Sequence, residues 1–353
     1  MRSAPPAPTA SGHLVASSPL AIRSLRLAVT ALAGLGAVYL VWSMLGDGRT
    51  ALAKLAPAWL PLYLGVVLVS VALRALRWRI VLERLGIPLG LARLARLWLA
   101  GRAVGSLIPS GTFAGEPVRA ELLRSSGAPR ATAAGAVALD RALELTGNMT
   151  AGPACVGAAL VLGAGSRAGT FLATAGALAG IATFAFVYLR AAQHRPALAT
   201  LLTRAGLDRF QWLRPLGRHA AQADEALQRL IATHPGLIPG GIGLSLAIEC
   251  LQLGELAALF ALFGLAVPLP LLLLSSVGIG VARVVPVTAA LGSLEATQVG
   301  IFTLGGRTLA LGLTVGLVLR LAETLWILVG LACLAAETAA LPAGRGRRGG
   351  GSA

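Results

Sequence analysis

Apolar residues along this chain fall into long runs separated by short breaks that carry arginine. The runs near 25–45, 57–75, 131–162, 168–189, 236–263 and 309–336 are long enough as helices to cross a hydrocarbon core of about 30 Å. Two other apolar stretches behave differently. Residues 91–108 stop at Pro109, and residues 268–285 stop at Pro286. Each is followed by a loop containing glycine and then a short segment with helical pattern, near 116–124 and 292–304. The apolar part from Leu97 to Ile108 rises only about 18 Å as a helix, short of a full crossing. The pattern therefore predicts re-entrant hairpins at 91–124 and 268–304. Irregular backbone at that depth is tolerated only where it is buried in protein or lines a polar cavity. The expected fold is an all-α polytopic membrane protein with about six full spans and two re-entrant helical hairpins.

The two halves repeat. Gly65 and Gly243 lie 178 residues apart, as do Gly86 and Gly264. Pro88 and Pro268 are separated by 180, and Pro109 and Pro286 by 177. The pairs Glu116 and Glu295, Arg141 and Arg320, and Glu144 and Glu323 are each separated by 179. Single coincidences are expected in a glycine-rich chain, but a common offset that includes proline, arginine and glutamate indicates an internal duplication. The segments are then a disordered cytoplasmic tail (1–24), a retained first transmembrane span (25–45), a first repeat half (57–190), a linker (191–235), a second repeat half (236–338) and a basic tail (339–353). Within the linker, Leu216, Ala220, Ala223, Leu227 and Leu230 recur at helical spacing. Such a stripe suits an amphipathic helix on the cytoplasmic membrane surface, and equally a solvated helix packed on the domain.

Composition agrees with the pattern. Hydrophobic residues make up 56% and charged residues 12%, about half the charged share of a soluble domain. The net charge of +16 would suggest nucleic acid in a soluble protein, but here most arginines end apolar runs, so no nucleic-acid partner is expected. Arginines concentrate in the N-terminal tail, at 74–96, 119–130 and 190–235, and in the C-terminal tail. Placing these in the cytoplasm gives a multi-pass protein of the cell inner membrane with both termini cytoplasmic. The first hairpin then enters from the cytoplasm and the second from outside, so the repeat is inverted. Inverted repeats with broken helices recur in secondary transporters, where the substrate sits at the repeat interface. Trp42, Trp59, Trp78, Trp98 and Trp326 lie near expected span ends or within the hairpins, and an interfacial belt is the default reading for most of them.

The candidate chemistry lies in charges placed inside apolar segments. Glu116, Asp140, Glu144, Glu249, Glu255, Glu295 and Glu323 face the basic residues Arg102, Arg141, Arg283 and Arg320. Each charge at mid-bilayer costs about 2.5–3.5 kcal/mol unless it is paired or hydrated. Arg141 and Glu144, and likewise Arg320 and Glu323, are three apart and so share a helix face. These pairs are either packing salt bridges or the lining of a headgroup path. Glu116 and Glu295 open the return helices, where caps and dipoles favour carboxylates, and where backbone N–H groups also attract anions. Arg102 reads as a snorkelling side chain. Cys155, Cys250 and Cys333 are dispersed, the four histidines do not cluster, and no phosphate-binding loop or hydrolase motif occurs. No metal, cofactor or catalytic group is expected.

Several of these residues carry a family resemblance. Arg77-Trp78, Leu85-Gly86, Leu107-Ile108-Pro109 and Ala114-Gly115-Glu116-Pro117-Val118-Arg119, followed by Arg141, resemble the flippase-like family named for the transmembrane region of lysylphosphatidylglycerol synthase. Ala114 stands where that family usually has the first glycine of a Gly-Gly-Glu. In the second half Pro286, Gly292 and Glu295 match, whereas Thr288-Ala289-Ala290-Leu291 replace a glycine-rich run. The resemblance covers about 57–336 and implies lipid translocation or a lipid-linked envelope function. In the synthase a soluble catalytic domain follows this region. The sequence in hand has none, so synthase activity is not expected, while hopanoid or polyisoprenoid lipids of some relatives are candidate substrates.

The expected function is thus a non-enzymatic flippase or transporter moving a phospholipid or isoprenoid-type lipid, with an anionic headgroup as the favoured partner. Glu116, Arg119, Arg141, Glu144, Arg283, Glu295, Arg320 and Glu323 are the candidate substrate-binding residues. A non-catalytic scaffold or subunit of a membrane lipid-synthesis system is the alternative, ahead of an intramembrane lipid-modifying enzyme. A homo-oligomer or a lipid-synthesis partner protein remains open.

Overall fold

The computed structural model describes residues 55–108, 115–164, 236–284, 290 and 292–340, with isolated positions between 178 and 232. The span expected at 25–45, the loops at 109–114 and 285–289, the amphipathic stripe of the linker and the basic tail lie outside the described residues, as does most of 168–189. Among the described residues the chain is helical and has no strand. After a 3-10 turn at Pro57–Trp59 come α1 (Leu60–Arg84), α2 (Leu91–Leu107), α3 (Gly115–Ser125) and α4 (Arg130–Ala164). The second half repeats the series as α5 (Leu237–Leu262), α6 (Leu269–Val284), α7 (Ser293–Leu304) and α8 (Leu309–Ala339). Among the described residues four helical stretches are long and apolar enough to cross a membrane: Pro57–Arg84, Thr132–Gly163, Pro239–Leu262 and Leu309–Ala339.

The ends of the helices show why the sequence repeats. Gly86 closes α1 at φ 75° and Gly264 closes α5 at φ 64°, a left-handed conformation that costs a residue with Cβ. Beyond each glycine the next N–H turns back to a carbonyl in the last turn: Ile87 to Leu82 at 2.9 Å, and Leu265 to Phe260 at 2.8 Å. Gly127 (φ 102°) and Gly306 (φ 71°) end α3 and α7 in the same way, with Ala128 bonded to Leu123 and Arg307 to Phe302. This second pair, 179 residues apart, is a repeat element absent from the matches above.

The span expected to end near Ala75, in the basic cluster of Arg74, Arg77, Arg79 and Arg84, runs on as α1 to Arg84 and carries Arg74 and Arg77 into the interior. Helical hydrogen bonding is unbroken there, and carboxylates of α4 receive both side chains.

Among the described residues two apolar cores form, one within the first half and one that joins the second half to Tyr63 and Val67 of α1. The first gathers Trp78, Leu82, Leu94, Leu97, Leu123 and Leu139, and the second gathers Phe260, Leu271, Phe302, Val315 and Val318. The halves also exchange helices: α2 packs along α8 of the other half, and α6 packs along α4. The first contact is antiparallel. Arg96 at the start of α2 donates to Glu337 near the end of α8 (2.9 Å), while Leu99 and Ala103 meet Gly330 further in. A Cβ on Gly330 would overlap the Leu99 carbonyl and the Ala103 methyl. Gly330→Val should therefore cost about 1–3 kcal/mol through overpacking, read as a lower melting temperature in detergent.

The surface is the reverse of a soluble protein. Leu68 is 65% exposed and Leu304 91%, whereas the Arg77 side chain is 1% exposed and Asp140 is fully covered. Leucines face outward because lipid tails solvate them as well as a core does, and charges face inward where partners exist.

Candidate functional site

α1, α3 and α4 bring a lattice of ion pairs into the first core. Asp140 on α4 accepts from Arg77 Nε of α1 at 2.8 Å and from Arg119 Nη2 of α3 at 2.7 Å. Arg77 Nη1 also donates to Ser245 Oγ of α5 (3.0 Å). Glu144, one turn beyond Asp140, lies 3.0 Å from Arg141 and 3.7 Å from Arg74. Glu116 lies 3.4 Å from Arg119 and 4.0 Å from Arg141. The Arg119 guanidinium rests on the indole of Trp78, 4.1 Å from its centre. Gly101 of α2 makes room for this, since its missing Cβ is where the Arg119 stem passes.

The second half holds a sparser version. Arg320 of α8 grips Glu295 of α7 with two bonds, 2.7 and 3.0 Å, and donates to the Ala290 carbonyl at 2.7 Å. Two-pronged guanidinium–carboxylate contacts are among the stronger charge-assisted bonds. Glu295 also caps its own helix by accepting from Gly292 N at 3.0 Å. Glu323 sits 3.5 Å from Arg320 and 3.6 Å from Arg283 at the end of α6.

All eight residues singled out from the sequence lie in these two clusters. Arg141 with Glu144, and Arg320 with Glu323, meet as their spacing implies. Glu116 and Glu295 each open a return helix and reach the arginine of the following long helix. The clusters are not equal, however. By the offset of 179, Arg119 and Asp140 correspond to Gln298 and Leu319, so the Asp140 centre exists in the first half alone. Gln298 is fully buried and donates to the Ser275 carbonyl instead (3.3 Å).

Sequence reading missed Arg74, Arg77 and the two tryptophans. Trp78 and Trp98, expected at the interface, are inside at 0% and 7% exposure, each holding arginine over its face. Trp59, at 44%, faces outward. Arg102 does not run out to an interface but lies over Trp98, 5.6 Å from the ring centre. A recess of about 380 Å³ opens between α1, α4 and α5, lined by Arg77, Arg84, Leu143 and Gly240, and it touches the lattice only at Arg77. No group of metal-binding side chains forms among the described residues.

By contrast, Glu121 and Arg124 on α3 pair in the open, at 2.8 Å with both side chains about half exposed. Glu121→Ala should change stability by no more than about 0.5 kcal/mol, a control for the buried pairs in the same melting assay.

A profile of the lysylphosphatidylglycerol synthase TM region matches residues 24–332. The chain belongs to that family. The ion-pair lattice and both helix–break–helix pairs lie within the matched span. A UPF0104 membrane protein of Methanothermobacter thermautotrophicus is 34% identical over 100 residues, 28% of this chain. The aligned stretch spans 30% of that relative's length. No solved structure matches significantly. The chain is accordingly a multi-pass membrane protein of this family, with several candidate spans.

Proposed function

We propose that the protein is a flippase or transporter that moves a lipid with an anionic headgroup across the bacterial inner membrane. The observation that carries this reading is the pair of buried charge clusters. Each joins the return helix of a broken pair to a long helix, within a body that exposes leucine. Keeping such charges away from water is costly, and a polar route for a headgroup gives them a use. In this reading α2–α3 and α6–α7 are re-entrant hairpins of an inverted repeat, and six spans place both termini in the cytoplasm. The crossed packing of α2 on α8 and α6 on α4 supports the duplication.

Mechanistically, the headgroup enters between the hairpins and meets arginines presented by α2, α6 and the long helices. Glu116, Glu144, Glu295 and Glu323 hold Arg119, Arg141, Arg283 and Arg320 until the headgroup competes for them. The hairpins then exchange partners and act as alternating gates. The chain performs no covalent chemistry and needs no cofactor.

A scaffold for a lipid-synthesis system is the second reading, and one observation favours it. Asp140 and Arg320 are saturated by partners, as structural centres are. Cells depleted of the protein separate the readings. With transport, the lipid complement stays whole while one species changes leaflet, seen by membrane-impermeant labelling with lipidomics. A missing species would favour a role in synthesis, and unchanged content and sidedness would contradict transport.

A further inference from the structure

Two carboxylates of α5 have no part in either cluster. Glu116, Asp140, Glu144, Glu295, Glu323 and Glu337 each have an arginine within ion-pair distance. Among the described residues Glu249 and Glu255 have none. Gln252, on the same helix, donates to Glu249. An unpaired carboxylate within a span is costly as the anion, and such groups recur where proteins pass protons across a membrane.

The place of Glu249 follows from the packing of α5. This helix runs antiparallel to α1, with Ala56 N donating to the Leu262 carbonyl (2.8 Å) at one end and Arg77 Nη1 to Ser245 Oγ (3.0 Å) toward the other. Glu249 stands one turn beyond Ser245 on the same face of α5. Arg74 stands one turn back from Arg77 on α1, so the antiparallel register sets Arg74 and Glu249 at one level. Arg74 leans instead to Glu144 of α4, at 3.7 Å. Arg77 Nη2 also lies near Glu144, at 3.8 Å, and has no hydrogen-bond partner. Of the other titratable groups around Glu249, α4 adds Cys155, α5 itself adds Cys250 and Glu255, and α6, also packed on α5, carries only Arg283.

Glu249 is about 18–20 Å along the helix from either end of α5, the middle of the span. Glu255 is only about 10 Å from the end at Leu262. The recess between α1, α4 and α5 begins beside Gly236 and Gly240, at the start of α5, and reaches in to Arg77. Arg77 bonds Ser245, so the recess stops about 6 Å, one helical turn, short of the level of Glu249.

We propose that Glu249 binds and releases a proton, exchanged with water in the recess beside Arg77, and that this proton couples lipid movement to the proton gradient. With the proton bound, the neutral acid leaves Arg74 to Glu144. When the proton passes to water, the carboxylate competes with Glu144 for Arg74. Glu144 is also the partner of Arg141, at 3.0 Å, so the charge on Glu249 reaches the arginines assigned to the headgroup. The coupling rests on the transport function proposed above, whereas proton exchange at Glu249 does not.

The two parts are measured separately on the full-length protein. In detergent, a hydrophobic carbodiimide adds to protonated carboxyl groups, and mass spectrometry locates the adduct. Glu249 should be labelled, and more strongly as the pH falls, while Asp140 and Glu144 stay unlabelled. No adduct on Glu249 at any pH where the protein stays folded overturns the site. Glu249→Gln imitates the protonated acid and breaks no ion pair, so it should melt no lower than wild type. A fall as large as that of Glu144→Gln would make Glu249 a structural residue and overturn the site as well. In sealed vesicles with the membrane potential clamped, a gradient of about one pH unit should shift the leaflet ratio of labelled phosphatidylglycerol by up to about tenfold, the limit for one proton per lipid. Glu249→Gln should abolish that shift, and Glu255→Gln and Glu121→Ala should keep it. Lipid movement that ignores the gradient, or a shift that survives in Glu249→Gln, overturns the coupling and leaves transport standing. No lipid movement at all, with Glu249 still labelled according to pH, removes the transport function and its coupling and supports proton exchange at Glu249.

Discussion

Asp140→Ala should destabilise the protein by about 3–5 kcal/mol, the range for breaking a buried ion pair from one side. The carboxylate is fully covered and is the shared acceptor of Arg77 and Arg119. Without it two arginines stay inside with their main counter-charge gone, and the contact joining α1, α3 and α4 is lost. Asp140→Asn should recover little, because its amide nitrogen turns a donor toward guanidinium donors. Arg119 would keep only the longer contact to Glu116, 3.4 Å, and the face of Trp78. The measurement is the denaturation midpoint in detergent, with Glu121→Ala beside it as the exposed control. A midpoint for Asp140→Ala equal to that control would show that the lattice does not hold the first half together.

The second large effect is expected at Arg320. Arg320→Ala removes the partner of Glu295 and one partner of Glu323, and it leaves the Ala290 carbonyl, in the break between α6 and α7, with the Ser293 hydroxyl as donor. The loss should again be about 3–5 kcal/mol. Arg320→Lys keeps the charge but not the fork. It can hold Glu295 through one contact and must release the Ala290 carbonyl, so it should fall between wild type and alanine. Glu295 would retain its cap on Gly292, so α7 itself should persist. Circular dichroism that keeps its helical signal while the denaturation midpoint falls would fit this account. A midpoint for Arg320→Lys equal to wild type would show that the two-pronged geometry contributes nothing.

Much of the frame was legible from sequence because it rests on local rules. Apolar run lengths placed α4, α5, α6 and α8 within about three residues of their ends, since the bilayer sets the scale for the three long helices and the proline break ends α6. Glycines at a common offset marked left-handed helix ends, a backbone need that few other residues meet. The spacing of Arg141 with Glu144, and of Arg320 with Glu323, gave contacts because helical geometry enforces them. The Asp140 centre was not legible. It joins residues 63 and 21 positions apart, which no period connects. An arginine run at the end of an apolar segment also looks the same whether its side chains snorkel outward or turn in to a carboxylate. That ambiguity hid Arg74, Arg77 and the burial of Trp78 and Trp98. The difference between the halves was partly visible in the missing glycines near residues 288–291, and the replacement of Arg119 and Asp140 by Gln298 and Leu319 extends it.

Lipid movement itself is the claim on which the functional account stands. The direct measurement uses the full-length protein reconstituted into sealed vesicles that carry a trace of fluorescent phosphatidylglycerol, bleached from outside by a membrane-impermeant reductant. In empty vesicles only outer-leaflet lipid should bleach. With the protein, the inner-leaflet pool should bleach as well, and Glu121→Ala should leave that phase alone. Bleaching limited to the outer leaflet with folded wild-type protein, across anionic phospholipids and polyisoprenyl phosphates alike, would contradict the account.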